Sequence, residues 1–370
     1  MSLLWLDGYE WLDQSLTGQV FEDTMVSKAR REIDVLLGTD AQVVTGRGGR
    51  GNALQWGANG QFQQFTSLRD RNNDNDLIIG FAVKIGTAFV DNANWISVML
   101  GVDSQSVVRY ETSDNTFRFL RANGTLLATS PADLINLNTW YYMEVKIRTN
   151  DTTGFIIMRL NGQIVWESAT TLDSADISGE GWDTLRLDFT RMSLNALTDD
   201  LYICDTGGTI NNDFLGDVAI ETILPVADGD FTQWSKNTGA DHVAHIDDVP
   251  FTAVPEDTDY VETGIIDNTE LFKYAELPSE LSTPIFGVLV HPIVKITNAG
   301  EPRGLNNIVR SKNKESVGLF PLNASSLSNK SRIEDVYFGE ASIFETEPRN
   351  GQQWTVKDIN NAQFGVRHVA

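Results

Sequence analysis

The chain has 370 residues, 41% hydrophobic and 21% charged, with a formal net charge of -23. Such acidity argues against general nucleic-acid binding, which needs basic surface to meet phosphates, and against adhesion to anionic membranes. The one cysteine, Cys204, allows no intramolecular disulfide, and no stretch approaches the ~20 apolar residues of a membrane span.

The opening MSLLWLDGYEWLD lacks the basic n-region and long apolar run of a signal peptide, so folding is expected in a reducing cytoplasm. Leu3 to Leu6 read as a first strand. Phe21, Met25, Ala29, Ile33 and Leu36 recur at helical spacing, which predicts one or two helical turns before Leu37. The run Gly46 to Gly51 matches G-x-G-x-x-G literally. A dinucleotide fingerprint needs a helix after it, but the strand-like NALQW follows, so a turn between strands is expected.

Gln61 to Leu68, Leu77 to Ile85, Trp95 to Val102, Val107 to Glu111, Thr116 to Arg121 and Thr125 to Thr129 follow as strands, punctuated by Asn, Asp and Gly. Between Thr139 and Asp205 the signal is strongest. Tyr141, Met143, Val145 and Ile147 alternate with Tyr142, Glu144, Lys146 and Arg148, the period of a strand with one buried face. Asn161-Gly162 then joins two β-rich runs, because both residues accept positive φ in a type I′ turn. Leu185, Leu187 and Phe189 alternate again, as do Leu201 and Ile203, and Cys204 reads as a small buried residue of that strand. Antiparallel strands without intervening helices predict a β-sandwich.

Turn formers at Gly207-Gly208 and Asn211-Asn212 place a domain boundary near residue 206, giving domains 1–206 and 207–370. Beyond it, Phe214 to Leu224 is expected to open a second, smaller β-sandwich, with Asp228 to Pro255 mostly loop. Strands follow at Asp259 to Ile266, Asp267 to Ala275, Phe286 to Ile296, Leu305 to Arg310 and Glu334 to Ile343. Thr355 and Asp358 have capping-box spacing, predicting one short helix from Val356, and Phe364 to Val369 reads as a closing strand.

Several constellations could carry chemistry. Asp70, Asn72, Asp74 and Asp76 occupy alternate positions, as oxygen ligands do at the start of a calcium loop. Asn75 and Phe81 stand where an EF-hand needs glycine and glutamate, so that motif is excluded. Asp70, Asp74 and Asp76 remain the candidate calcium ligands, with solvation of a polar turn the simpler reading. Glu144 is the nearest glycosidase candidate, but no second carboxylate lies at the spacing such hydrolysis requires, and Asp183 and Asp188 are also wrongly spaced. His242 and His245, beside Asp241, Asp247 and Asp248, read as a loop with satisfied polar groups. Arg303, Arg310, Lys312 and Lys314, with Lys330 and Arg332, form a basic run in an acidic chain. It is either a solvated hairpin tip or an edge that meets an acidic surface. Trp5, Trp95, Trp140, Trp166 and Trp182 are expected in the first core, whereas Trp11, Trp56, Trp234 and Trp354 are candidates for an exposed sugar-binding or subunit surface.

Two resemblances accompany these patterns. A tryptophan opening a strand, then an alternating strand and a strand-NG-strand hairpin, resembles concanavalin A-like (laminin-G-like) jelly rolls. That likeness implies loops on the sandwich rim that often bind calcium. The chain as a whole resembles a virion structural protein of tailed phages, on LLWLDG from Leu3, GRGGRGNAL from Gly46, the block DDLYICD…NNDFLGDV…ETILP…DFTQW from Asp199 to Trp234, and Phe344 to Asn360. Asp199 to Trp234 is the most specific part. The resemblance implies an all-β, two-sandwich, non-enzymatic component of the virion, made in the host cytoplasm. Its implied partners are other virion proteins and further copies of itself, with a homotrimer expected from the cyclic symmetry of spikes. A host surface glycan is a further implied partner if the chain is an adhesin, and a polysaccharide-degrading enzyme is the third class.

Overall fold

The computed structural model describes residues 2–17, 21, 33–36, 41–57, 62–65, 68, 76–176, 181–189, 192–193, 195–239, 241–246, 258–278, 284–295, 304–318, 337–338 and 341–369. Two compact units divide the chain at Glu221/Thr222. Both are built from antiparallel strands, as alternation without intervening helices predicts.

The first unit begins with β1 (Leu3–Asp7), β2 (Ile33–Leu36), β3 (Gln42–Thr45), β4 (Asn52–Gln55) and β5 (Phe62–Phe65). The long strands β6 (Leu77–Lys84), β7 (Ala93–Leu100), β8 (Asp103–Glu111) and β9 (Thr116–Arg121) follow, then the short β10 (Leu126–Thr129). β11 (Trp140–Arg148), β12 (Phe155–Leu160), β13 (Gln163–Glu167), β14 (Thr184–Leu187) and β15 (Leu197–Asp205) complete it. An 8-stranded sheet runs β13-β12-β11-β6-β15-β4-β3 with β1 added on β15, and a 7-stranded sheet runs β10-β9-β8-β7-β14-β5-β2. Asn161 (φ 50°) and Gly162 (φ 78°) both take the left-handed conformation in the β12–β13 turn, as the Asn-Gly pair predicts.

Aromatic rings fill the core. Phe81 on β6 meets Phe189 after β14 at 5.9 Å, Phe189 lies 4.5 Å from Trp56, and Trp95 packs edge-on against Phe117 at 5.0 Å. Trp11 and Trp56, read as candidates for an exposed surface, are buried. The indole Nε1 of Trp56 is satisfied by Thr198 Oγ1 at 2.7 Å, so one end of the ring can be polar without reaching solvent. Residues 33–36, expected within a helix, form β2 and pair with β5; Met25 and Ala29 of the same expected helix fall outside the described residues. Cross-strand pairing outweighs a local spacing signal here, a familiar weakness of short apolar patterns.

The second unit contains β16 (Pro225–Thr232), β17 (Ser235–Lys236), β18 (Val261–Glu262), β19 (Thr269–Tyr274), β20 (Val288–Val290) and β21 (Ile293–Val294). β22 (Gly304–Ser311), β23 (Lys314–Gly318), β24 (Tyr337–Phe338), β25 (Ser342–Phe344), helix α1 (Val356–Asn360) and β26 (Ala362–Val369) follow. A 5-stranded sheet runs β16-β19-β26-β22-β23. Trp354, Ile359 and Ala362 from around α1 join Val309, Phe344 and Phe364 in one core, with Val288 and Val290 of β20 against it. Trp354, also read as a surface candidate, is thus buried, and Trp234 is half-buried. The capping box forms as predicted, with Thr355 accepting from the Asp358 amide and Asp358 from the Thr355 amide. β16 occupies part of the stretch read as loop, and residues 214–224 form no strand.

The boundary itself is corrected from 206 to 221. Residues 206–221 contain the turn formers that suggest a linker, yet they belong to the first unit, with anchors on its larger sheet and on Arg47.

Candidate functional site

The site is the polar face of the 8-stranded sheet and the segment laid across it. Alternation on β11 turns Met143, Val145 and Ile147 into the sandwich and Tyr142, Glu144 and Lys146 to the opposite face. Yet Tyr142 and Glu144 are as fully buried as their core-facing neighbours. On the same face Gly80 of β6 stands opposite both Glu144 and Tyr202. A Cβ at Gly80 would lie 2.0 Å from Cε1 of Tyr202, so glycine lets that ring lie flat on the sheet. Tyr202 donates its hydroxyl to Glu144 Oε1 at 2.6 Å.

Residues 206–221 cover these groups. The Leu215 amide donates to the Tyr202 hydroxyl at 3.1 Å, and the Gly216 amide to Glu144 Oε1 at 2.8 Å. The Arg159 guanidinium lies 4.1 Å over the Phe214 ring, and Lys146 pairs with Asp213 at 3.4 Å. Ile220 donates its amide to Asp200 Oδ1 at 2.8 Å. Its carbonyl oxygen passes so close to Gly8 that a Cβ there would sit 2.1 Å away. The segment is therefore a strap, fixed by side chains from β11, β12 and β15 on an irregular backbone.

At one end of the strap lies a nest of carboxylates. β15 loses register with β6 between Asp199 and Tyr202, the disturbance a β-bulge makes when it re-aims a side chain. Asp200 within it has φ 51°. Tyr9 has φ 67°, a conformation costly for a bulky residue. Glu10, Asp199, Asp200 and Glu221 lie within electrostatic reach of one another, and Arg47 joins them through Asp217, Asp200 and Asp199. Its guanidinium pairs with Asp217 at 2.6 Å and Asp200 at 3.2 Å and donates to the Val218 carbonyl at 3.0 Å, while its amide donates to Asp199 Oδ2 at 2.9 Å. Arg47 is thus engaged within its own chain.

Burial, with the mutual repulsion of the carboxylates, raises the proton affinity of this nest. Burial, reinforced by the charges of Asp199, Glu221 and Asp200, pushes Glu10 up to about 9. Burial and the adjacent Asp200 push Asp199 up to about 7. Asp200 is raised less far, by burial, because the Ile220 amide and Arg47 stabilise its anion. For Arg47, burial acts downward, but Asp217 and Asp200 outweigh it and hold the guanidinium charge firmly.

Most residues singled out from sequence lie elsewhere. Asp76 is almost fully buried and receives Arg148 Nε on Oδ1 at 2.6 Å and Nη2 on Oδ2 at 3.3 Å. Both oxygens are committed to a guanidinium, and Asp70 and Asp74 fall outside the described residues. Arg310 is also paired internally, with Glu315 at 2.8 Å and Asp230 at 3.6 Å, and covers the Phe231 ring. Lys312 and Lys314 are exposed at the β22–β23 hairpin tip, and Arg303 is outside the described residues. Asp183 accepts from the Gly101 amide and Thr184, and Asp188 pairs with Arg186. His242 Nδ1 approaches Glu270 Oε1 to 2.7 Å without hydrogen-bond alignment, and His245 bonds Asp259. Among the described residues no group of histidine, cysteine and carboxylate side chains is arranged to hold a metal.

Glu10, Arg47, Asp199, Asp200 and the strap do not stand out in the sequence as a site. One signal was present: two adjacent aspartates at the head of an otherwise apolar strand, in a chain where buried carboxylates need partners.

Fold and site define an all-β protein whose larger sheet is closed on its outer face by its own chain. No family model and no curated protein matches it. Among solved structures it is similar to a Trypanosoma rangeli sialidase mutant with trans-sialidase activity, at 14% identity and TM-score 0.33, over 45% of this chain and 27% of the sialidase. It is also similar to domain 4 of an extracellular arabinanase from Geobacillus stearothermophilus, at 10% identity and TM-score 0.33, over 47% of this chain and 81% of that domain. The third is an alginate lyase in complex with an alginate trisaccharide, at 11% identity and TM-score 0.36, over 55% of this chain and 98% of the lyase. The chain thus spans about a quarter of the sialidase's length.

Proposed function

We propose that this chain is a non-enzymatic structural component of a tailed-phage virion, a head decoration or fibre or an appendage of the tail or neck, acting by surface binding and assembly. The observation that carries this reading is the strap. The block Asp199 to Trp234, in which the resemblance to phage virion proteins is most specific, contains most of β15, the paired aspartates and the strap itself. Part of the block that carries the likeness thus forms the strap that covers the first sandwich. Each carboxylate considered for hydrolysis also has a structural role. Glu144 receives Tyr202 and the strap, Asp183 a loop amide, and Asp188 Arg186.

Assembly would use surfaces that remain open. β10 and β13 end their sheets, and Leu126 (52% exposed) and Ile164 (55%) point outward from them. Such edges accept another chain, here a further copy in a homotrimer or another virion protein. Lys312 and Lys314 offer charge for an acidic partner. At Asp76 a calcium ion would compete with Arg148 for the carboxylate oxygens.

Quantitative mass spectrometry of gradient-purified particles tests the proposal. The expected result is a fixed copy number per particle, a multiple of three. Absence from particles overturns it. Glycan binding without turnover would move the reading to an adhesin, and turnover abolished by a single carboxylate substitution to an enzyme.

A further inference from the structure

The strap and the carboxylate nest share their anchors. Asp200 accepts from the strap amide of Ile220, Arg47 binds Asp217 and the Val218 carbonyl, and Glu221 lies close enough to act on Glu10 and Asp200. The charged and titratable groups around the nest come from five places. Asp7, Tyr9 and Glu10 belong to β1 and the turn after it, Arg47 to the β3–β4 turn, and Asp199 and Asp200 to β15. The strap supplies Asp217 and Glu221, and Tyr142 reaches in from β11 to donate to the Asp200 carbonyl at 3.0 Å.

A second observation lies under the other part of the strap. Glu144 is fully buried, yet its Oε2 has no hydrogen-bond partner among the described residues, and neither does Arg159 Nε. Closing the strap therefore desolvates polar atoms without satisfying them, which costs free energy that opening would recover.

We propose that residues 206–221 form a proton-controlled strap. Protons held by the nest keep it down on the sheet; their loss sets Glu10, Asp199 and Asp200 against Asp217 and Glu221, lifts the strap, and bares the face carrying Tyr142, Glu144, Arg159 and Tyr202. The raised affinities of Glu10 and Asp199 for protons place the transition between neutral and mildly alkaline pH. Such a switch is independent of the assembly role, and the test below leaves that role untouched.

Hydrogen exchange of the full chain tests it. Amides of Leu215, Gly216 and Ile220, whose acceptors are side chains of the sheet, are compared with ladder amides of β11 and β12, so that intrinsic base catalysis cancels. Between pH 6 and 9 the strap amides should lose protection relative to the ladder, by up to about tenfold per pH unit for one released proton. Glu10→Gln, a permanent mimic of the protonated acid, should flatten that rise. Glu221→Gln, at an exposed position that leaves the core untouched, should reduce it even if the first variant folds poorly. A strap-to-ladder ratio constant from pH 6 to 9 in the unaltered chain overturns the proposal. So does an undiminished rise in Glu221→Gln.

Discussion

Tyr202 shows how much one hydroxyl can hold. It donates to Glu144, accepts from the strap amide of Leu215, and lies flat only because residue 80 is glycine. Tyr202→Phe removes a donor from a buried carboxylate and should lower stability by about 1–3 kcal/mol, read as a shift in denaturation midpoint without a change in slope. Gly80→Ala should cost a similar amount, about 1–3 kcal/mol, by forcing the ring off the sheet. The nest makes stability depend on pH. Glu10 and Asp199 bind protons more tightly folded than unfolded, so the folded state carries extra protons. Their contribution to stability is complete below about pH 4, under the ordinary carboxylate range. It is lost as pH rises, through about 7 for Asp199 and about 9 for Glu10. In that window each group lowers the unfolding free energy by at most about 1.4 kcal/mol per pH unit. Denaturation curves from pH 5 to 9 should fall with this sign, and Glu10→Gln should remove the part above pH 7. A flat profile would contradict the raised affinities.

At the level of elements, α1 and β26 close the second unit. β26 lies between β19 and β22 in its sheet, a central strand whose loss bares two ladders. Truncation after Gln353 should therefore produce aggregation, while the first unit, which has its own core, keeps its cooperative melt. A soluble, folded truncation product would show that β26 is dispensable to the sheet. Thr355→Ala should cost about 1 kcal/mol through loss of the cap. The elements also explain what could be read in advance. β11 and β14 follow the alternation of apolar residues, and the Asn161-Gly162 turn and the Thr355 cap are local rules acting on a few adjacent residues. The strap obeys no such rule. It has no period, and its hydrogen bonds join backbone amides to side chains far away in sequence, such as Gly216 to Glu144. Composition alone suggests a linker there. The buried Trp11, Trp56 and Trp354 show the same limit, since an indole's chemistry does not reveal which side of a sheet it faces. β16 and β23 escape a reading by pattern because both are edge strands with no fully buried residue.

Across the whole molecule, a chain of net charge -23 repels its own copies at long range unless an interface offsets that repulsion. The open sheet edges are the proposed interface, helped by Lys312 and Lys314. Reversing both lysines to glutamate should reduce incorporation into particles, most clearly at low salt, where charges are least screened. Normal incorporation would remove the hairpin tip from the docking surface. If this chain is a built-in part of the particle, a cryo-electron microscopy map of the intact virion should show it directly. The expected map has symmetric density into which the two-sheet sandwich of residues 1–221 fits repeatedly, around a threefold axis, at a fixed site on the head, neck or tail. A map in which every protein density is accounted for without this sandwich would contradict the structural role.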